Sequence, residues 1–141
     1  MTLDEQVAVV RRALDAGEAG DADAYLACLA DDVVLELPYA SAEGGTRLDK
    51  AGIARMVTGV VFRNFATRSF SIDRVFGTDD GTALAIEYGS ELVSRVGDGH
   101  YENRYVGVFE FRAGLITRWR EYANPLTFAA AMAAVKKAAS S

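Results

Sequence analysis

Short turn sequences divide the second half of the chain at regular intervals. They are, in order, Asp79-Asp80-Gly81, Gly97-Asp98-Gly99 and Ala113-Gly114. Glycine and aspartate favour tight hairpin turns, because they tolerate the backbone angles that such turns require. The turns therefore predict an antiparallel meander, with strands at about 67–77, 82–96, 100–112 and 115–123.

The first half of the chain has a helical pattern. Thr2 and Glu5 form a capping box ahead of apolar residues that are spaced for one helix face. A short helix that Asp21 caps is expected next, then a short strand at 33–37, and then a third helix at about 49–62.

Helices that precede an antiparallel meander predict an α+β fold. We expect a cone-shaped, curved antiparallel sheet around the N-terminal helices, with a cavity inside it. Residues 39–47 are predicted to form a loop, and Asn124-Pro125 to begin a C-terminal helix. The length of 141 residues suits a single domain, 1–141.

Composition and charge limit the partners. Half of the residues are hydrophobic and a quarter are charged, which is typical of a globular protein. The net charge of -5 argues against nucleic acid as the main partner. We see no signal peptide and no apolar stretch long enough to cross a membrane. The single cysteine, Cys28, cannot form an internal disulfide, so we expect a reducing, cytoplasmic location.

The sequence offers little to a metal ion. It has one histidine, His100, which follows a turn glycine and is expected to be a solvated turn residue. Cys28 lies in an apolar helical run and is expected to be a buried small hydrophobe. We find no cluster of cysteine, histidine and carboxylate residues at ligand spacing, so we predict no metal and no cofactor.

The last two strands carry the most informative polar residue. Side chains alternate between the two faces of a strand. On strand 115–123, Leu115, Thr117 and Trp119 share one face with Glu121, so we expect all four to point inward. Strand 101–111 presents an inward face made by its odd-numbered residues, Tyr101, Asn103, Tyr105, Gly107, Phe109 and Phe111.

This assignment constrains the turn between the two strands. A two-residue turn at Ala113-Gly114 would put the two inward sets on opposite faces of the sheet. A longer loop or a bulge, with Gly114 at positive φ, is therefore required. Glu121 is then expected opposite Tyr105 or Gly107.

A carboxylate on an apolar face is costly to keep ionised. Desolvation raises its pKa toward neutrality, where the group can both accept and donate a proton. Glu121 is therefore a candidate general acid/base. The alternative is structural: Glu121 pairs with Arg120 or Arg104 at a rim, or caps a backbone group.

Other polar and aromatic residues are expected to line the same cavity as substrate-binding groups. They are Asn103, Tyr88, Ser90, Tyr105, Trp119 and Tyr39. Tyr88 and Ser90 would offer hydroxyls near Glu121, and Trp119 and Tyr105 apolar walls. Asn103 would contact the ligand or orient Glu121. The alternative for Tyr88 is a core aromatic residue with a satisfied hydroxyl.

The order of elements resembles the nuclear transport factor 2-like (SnoaL-like) superfamily. The resemblance lies in the stretches 17–34 and 101–111, and most of all in the ending Ile116-Thr117-Arg118-Trp119-Arg120-Glu121-Tyr122-Ala123-Asn124-Pro125. That ending is similar to phenazine biosynthesis A/B-type proteins, whose acid–base glutamate lies in a matching Arg-Glu-aromatic-x-Asn-Pro motif. The resemblance implies the cone-shaped fold and a catalytic Glu121.

Two more distant relatives differ from this chain at key positions. The limonene epoxide hydrolase pattern has an arginine and a second aspartate where this chain has Tyr88 and Ser90. The ketosteroid isomerase pattern has its catalytic aspartate before a proline, where this chain has Leu37.

We therefore predict a cofactor-independent enzyme of secondary metabolism, similar to isomerases and polyketide cyclases. Glu121 would act as general acid/base in the isomerisation, condensation or cyclisation of a hydrophobic carbonyl or imine substrate. The alternatives are a non-catalytic domain that binds a small ligand and an epoxide hydrolase-like enzyme. We also expect a homodimer, because the outer face of the meander carries Val106, Val108, Ile116 and Tyr122.

Overall fold

The computed structural model describes residues 1–40 and 45–140. The helices are α1 (Leu3–Ala19), α2 (Ala22–Leu26), α3 (Lys50–Met56), which continues as a π-helical segment (Val57–Phe62), and α4 (Pro125–Ala139). The strands are β1 (Leu29–Leu37), β2 (Thr46–Leu48), β3 (Phe65–Gly77), β4 (Ala83–Ser94), β5 (His100–Arg112) and β6 (Leu115–Ala123). No helix among these residues is long and apolar enough to span a membrane.

The helix starts follow the predicted caps. Thr2 Oγ1 accepts from the Glu5 backbone N–H at 3.1 Å, and Glu5 Oε2 accepts from the Thr2 N–H at 2.8 Å. Asp21 caps α2 and Asn124 caps α4 through their side chains. Each cap satisfies a backbone donor that the helix itself leaves free.

The six strands form one curved sheet in the order β2-β1-β6-β5-β4-β3. The predicted meander is confirmed, because β3, β4, β5 and β6 pair antiparallel in sequence order. Two features were not predicted. β1 pairs with β6 in parallel, and the short strand β2 begins inside the predicted loop 39–47 and ends one residue beyond it. Residues 41–44 of that loop are outside the described part.

A bulge inside β6 reconciles the turn with the buried face. Ala113 and Gly114 both have positive φ, 51° and 81°, and make a tight two-residue turn. Next to the turn, Arg112 on β5 pairs with Leu115 on β6. Farther from the turn the register shifts by one residue, and Glu110 pairs with Arg118. Thr117 is therefore the extra residue that forms the bulge in β6.

The predicted bulge is thus present, but it lies three residues after Gly114 and not at the turn. The expectation that Leu115 points into the core was consequently wrong. Ile116 is fully buried in the core instead, and only beyond the bulge do Trp119 and Glu121 follow the predicted face. Ile116 therefore does not lie on the outer face of the sheet, where we expected it to contribute to a dimer interface.

The third helix changes its winding where it meets the interior. Asp49 caps α3 through the Gly52 N–H at 2.8 Å, and the last six residues, Val57–Phe62, are π-helical. π-helical turns inside α-helices are frequently found at functional sites. The Asn64 side chain donates to the Val60 carbonyl at 2.7 Å and Arg95 to that of Phe62 at 3.0 Å, which fixes this segment over the sheet.

The core consists of two apolar clusters. The larger one packs α1 and α2 against the concave face of the sheet and includes Phe109 and Trp119. The smaller one lies under α4 and consists of Phe65, Leu92, Tyr101 and Val135. Residues of both clusters line one cavity, so the cavity lies where the two clusters meet.

The position of the bulge can be tested by truncating the two neighbouring residues. We expect Ile116→Ala to lower the free energy of unfolding by about 2–5 kcal/mol, as for a fully buried side chain. Leu115→Ala, at a half-buried position, should cost at least about 1 kcal/mol less. Chemical denaturation of both variants measures the difference, and a larger loss for Leu115 would contradict the register.

Candidate functional site

The cavity has a volume of about 360 Å³ and opens between the sheet, the π-helical segment and the start of α4. Its wall is mostly apolar, as is usual for small-molecule sites. Sequence reasoning missed several wall residues, because only the tertiary packing brings them here. They are Leu14, Tyr25, Met56, Val57, Val60, Val61, Phe62 and Phe70.

Glu121 lies in this wall. It pairs with Gly107 on β5, as the face assignment predicted, and its remaining accessible surface faces the cavity. The Tyr88 hydroxyl donates a hydrogen bond to Glu121 Oε2. Within residues 1–40 and 45–140 Glu121 forms no ion pair, since Arg104 pairs with Asp73 instead. The arginine-paired arrangement is therefore not the one that the structure adopts.

Burial controls the protonation of Glu121. Removal from water raises the pKa of the carboxyl from its ordinary 4.5 to about 7, although the hydrogen bond from Tyr88 acts in the opposite direction. Desolvation is the larger of the two effects. Near neutral pH both the acid and the carboxylate are therefore populated, which is what a general acid/base requires.

Gly107 leaves the space in which Tyr88 reaches Glu121. A β-carbon at this position would lie 2.6 Å from Phe109 Cε2 and 3.1 Å from Tyr88 Cε1. Both distances are shorter than ordinary carbon–carbon contacts. The Tyr88 ring also stacks on Tyr105, with ring centroids 4.7 Å apart, and this fixes it beside Glu121. Glycine is thus needed here for space and not for backbone freedom.

A second polar group lies on the same sheet, around Tyr101. The Ser90 and Tyr105 hydroxyls are 2.7 Å apart, and Tyr105 donates to the Tyr101 hydroxyl at 3.2 Å. Asn103 Nδ2 donates to the same Tyr101 oxygen at 2.7 Å. Ser90, Tyr105, Tyr101 and Asn103 therefore form a hydroxyl network, whose members all come from β4 and β5.

The predicted polar site residues Tyr88, Ser90 and Asn103 have different hydrogen-bond partners. Tyr88 contacts Glu121, whereas Ser90 is bonded to Tyr105 behind the cavity wall. Asn103 lines the cavity, but its amide bonds to Tyr101 and to the Asn124 carbonyl, 3.0 Å away, at the start of α4.

The aromatic walls are where the sequence placed them. Trp119 is buried against Phe109, with ring centroids 4.9 Å apart, and lines the cavity. Tyr39 lies at the rim, 59% exposed, with its ring edge-on to Tyr122 at 5.5 Å. Tyr25 is buried in the cavity wall, and this burial, followed by the charge of Glu121, raises the pKa of its hydroxyl. It was not predicted, because its helix pattern marks it only as apolar.

His100 lies away from the cavity. It is exposed at the start of β5, with Nε2 3.6 Å from Glu102, as a solvated turn residue should be. No three histidine, cysteine, aspartate or glutamate side chains of residues 1–40 and 45–140 group closely enough to hold a metal ion.

Comparison with known families matches this architecture. The model of the SnoaL-like domain matches residues 10–119. The chain belongs to this family. The match ends two residues before Glu121, so the family assignment does not include the glutamate. No curated protein matches the chain significantly.

Solved structures with the same fold include members of several protein groups that the sequence resembles. A Δ5-3-ketosteroid isomerase from Mycobacterium sp. has a TM-score of 0.73 at 24% identity, over 86% of this chain and 94% of its own. A limonene epoxide hydrolase-like (LEH-like) enzyme of Mycobacterium tuberculosis has a TM-score of 0.69 at 26% identity, and the match covers 92% of this chain and 90% of the enzyme. A phenazine biosynthesis-related protein from Pseudomonas aeruginosa has a TM-score of 0.70 at 19% identity, and the match covers 93% of this chain and 86% of that protein. The resemblance is thereby confirmed for the fold.

The raised pKa of Glu121 predicts a pH-dependent effect of Glu121→Gln. Because this pKa is higher in the folded than in the unfolded chain, the folded state binds more protons between pH 4.5 and about 7, and stability falls as pH rises through that window. Glutamine removes this penalty. We therefore expect the free energy of unfolding of Glu121→Gln, relative to that of the unmodified protein, to increase by up to about 3 kcal/mol as the pH rises from 4.5 to 8.

Urea denaturation at a series of pH values measures this gain. Glu91→Gln is the matched control, because Glu91 is exposed on β4, and its stability difference should not change over the same range. A constant difference for Glu121→Gln would show that Glu121 ionises like a solvated glutamate.

The space at Gly107 gives a second prediction. Gly107→Ala should destabilise the protein by about 1–3 kcal/mol, because the new methyl group overlaps Phe109 and Tyr88. It should also displace Tyr88 and so raise the pKa of Glu121 further. Gly59→Ala is the control, since a β-carbon there meets no atom within 4 Å. Equal stability of the two variants would contradict the close packing at Gly107.

Proposed function

We propose that this protein is a cofactor-independent enzyme that uses Glu121 as general acid/base on a small hydrophobic carbonyl or imine substrate. One observation carries the proposal: a carboxyl with a pKa of about 7 lies in the wall of an apolar cavity, and Tyr88 holds its orientation. The similarity in fold to an isomerase and to a phenazine biosynthesis-related protein is consistent with it.

The chemistry follows from the two protonation states. As carboxylate, Glu121 removes a proton from the carbon next to the carbonyl or imine, and the electron pair of the broken C–H bond moves toward the oxygen or nitrogen. As acid, it returns that proton to a different atom. The net result is an isomerisation, or a condensation or cyclisation when the carbon attacks another electrophile. Tyr88 stabilises the carboxylate form and holds the carboxyl in place through its bond to Oε2.

Two alternatives use the same cavity differently. Epoxide opening by activated water is less well supported, because Tyr88 bonds to Glu121 and Ser90 to Tyr105 where the hydrolase pattern has an arginine and an aspartate. A non-catalytic binding domain has no use for a carboxyl poised near neutrality. It would bind the ligand equally well with glutamine at position 121.

Proton transfer can be tested without knowing the natural substrate. The protein is incubated in D₂O with a panel of aromatic ketones, beginning with 2-tetralone, and deuterium incorporation next to the carbonyl is followed by NMR. We expect Glu121→Gln to slow the exchange by about 10²–10⁴-fold. The exchange rate should rise with pH and level off above about 7, because the carboxylate is the base.

Glu91→Gln again serves as the matched control and should exchange at the normal rate. If Glu121→Gln binds the ketones and exchanges them as fast as the unmodified protein, the acid/base role is lost and the binding-domain alternative takes its place.

We further propose that the chain forms a homodimer through the outer face of the sheet. Val106 is 40% exposed there, and Val108 and Tyr122 are partly buried beside it. A shallow pocket on this face is bounded by Tyr122, Val106, Glu87 and Arg104, so apolar and charged groups alternate as in many interfaces. Cytoplasmic localisation also stays a prediction, which the free and buried thiol of Cys28 supports.

Light scattering tests the dimer. We expect a dimer at micromolar concentration, and a monomer for Val106→Glu, which places a charge in the apolar patch. Leu126→Glu is the control, since Leu126 is 77% exposed on α4, and it should remain dimeric. A monomeric unmodified protein would refute the proposal.

A further inference from the structure

The hydrogen bonds around Tyr101 leave one proton without an acceptor. A tyrosine hydroxyl has one proton to donate and two lone pairs that accept. Tyr105 and Asn103 donate to the Tyr101 oxygen at 3.2 and 2.7 Å, so both lone pairs are used. Among the hydrogen bonds of residues 1–40 and 45–140, none has the Tyr101 hydroxyl as donor.

The direction of the Asn103 bond is fixed by its neighbours, and the Tyr105–Tyr101 bond has Tyr105 as its donor. Asn103 Oδ1 accepts from the Arg104 backbone N–H at 2.8 Å, and its Nδ2 also donates to the Asn124 carbonyl at 3.0 Å. The amide cannot flip without breaking both bonds, so Nδ2 must face Tyr101. Tyr105 donates its single proton to Tyr101, so Ser90 must be the donor in the Ser90–Tyr105 hydrogen bond.

The Tyr101 ring is also held in place. It is buried and lines the cavity, with Phe65 at 6.0 Å on one side and the edge-on ring of Phe128 at 5.5 Å on the other. A buried donor without an acceptor costs free energy, which an acceptor on a bound ligand would recover. The Trp119 indole N–H also lacks a partner, but it has almost no accessible surface.

The charges around the cavity define the acceptor. No lysine, arginine or histidine belongs to its described wall, and Glu121 is its one carboxyl. A carboxylate ligand would therefore meet negative charge without a cation to balance it. A neutral oxygen meets no such penalty.

We propose that the Tyr101 hydroxyl is the hydrogen-bond donor that recognises the uncharged carbonyl oxygen of the ligand. This deepens the proposed function, because it rests on the same cavity and supplies a donor for the atom that gains electron density. When Glu121 removes a proton from carbon, negative charge develops on that oxygen, and the Tyr101 hydrogen bond stabilises it with no proton transfer. Ser90, Tyr105 and Asn103 act as positioning residues, because they fix where the Tyr101 proton points.

The test uses three naphthalene probes of similar size: 2-acetylnaphthalene, 2-ethylnaphthalene and 2-naphthoate. Titration calorimetry gives their dissociation constants, and infrared spectroscopy gives the carbonyl stretch of bound 2-acetylnaphthalene. We expect the ketone to bind about 2- to 10-fold more tightly than the hydrocarbon. The naphthoate should bind most weakly, and the ketone stretch should shift to lower frequency on binding.

Tyr101→Phe should abolish both the preference for the ketone and the shift of its carbonyl stretch, while 2-ethylnaphthalene binds as before. The matched control is Tyr122→Phe, on the outer face, which should keep both. Ser90→Ala should reduce the frequency shift without abolishing it, since the donor remains but is less well oriented.

The measurements are repeated in the Glu121→Gln background to separate this proposal from the acid/base role. Retention of the ketone preference there, together with loss of deuterium exchange, supports both proposals independently. If exchange fails in every variant but the preference persists, only the catalytic proposal falls. A ketone that does not bind, that binds no better than the hydrocarbon, or whose stretch is unchanged by Tyr101→Phe would overturn the Tyr101 proposal.

Discussion

One buried carboxyl determines how this site is organised. Glu121 lies on a strand face that is otherwise apolar, and no cation within the described cavity wall neutralises it. Its solvation is replaced by a single donor, Tyr88, which reaches it because Gly107 has no side chain. The pKa of the carboxyl therefore lies near neutrality, and we propose that the surrounding hydrophobic wall serves acid/base chemistry as well as ligand binding.

The bulge in β6 allows Glu121 to face the cavity although a tight two-residue turn joins β5 and β6. Two-residue turns join strands economically, but here the turn alone would have placed Glu121 on the outer face. The extra residue, Thr117, lets Ile116 fill the core on one side of the shift and Trp119 and Glu121 face the cavity on the other. A structural irregularity of one residue thus decides which side of the sheet carries the candidate chemistry.

The cavity has two polar regions, and they differ in kind. Glu121 with Tyr88 can accept and donate a proton. The hydroxyl network around Tyr101 can only donate a hydrogen bond to a ligand, because its other positions are filled by protein groups. Asn103 links this network to the first residue before α4, so the helix that covers the smaller core cluster is tied to the same polar region. An apolar ligand with one neutral acceptor fits both regions together.

The sequence by itself determined the elements that depend on local chemistry. Glycine and aspartate placed the turns, the caps placed the helix starts, and alternation placed Trp119 and Glu121 on the inner face. The family ending pointed to Glu121 as well. Local pattern could not determine the parallel β1–β6 pair, the bulge at Thr117, or the partner of each polar group, since these depend on residues far apart in the chain. Tyr88, Ser90 and Asn103 were chosen correctly as inward residues, but only the packed sheet decided that Tyr88 bonds to Glu121 while the other two serve the hydroxyl network. The physical reason is that strand alternation fixes a side of the sheet, whereas hydrogen-bond partners depend on register and on the space left by residues such as Gly107.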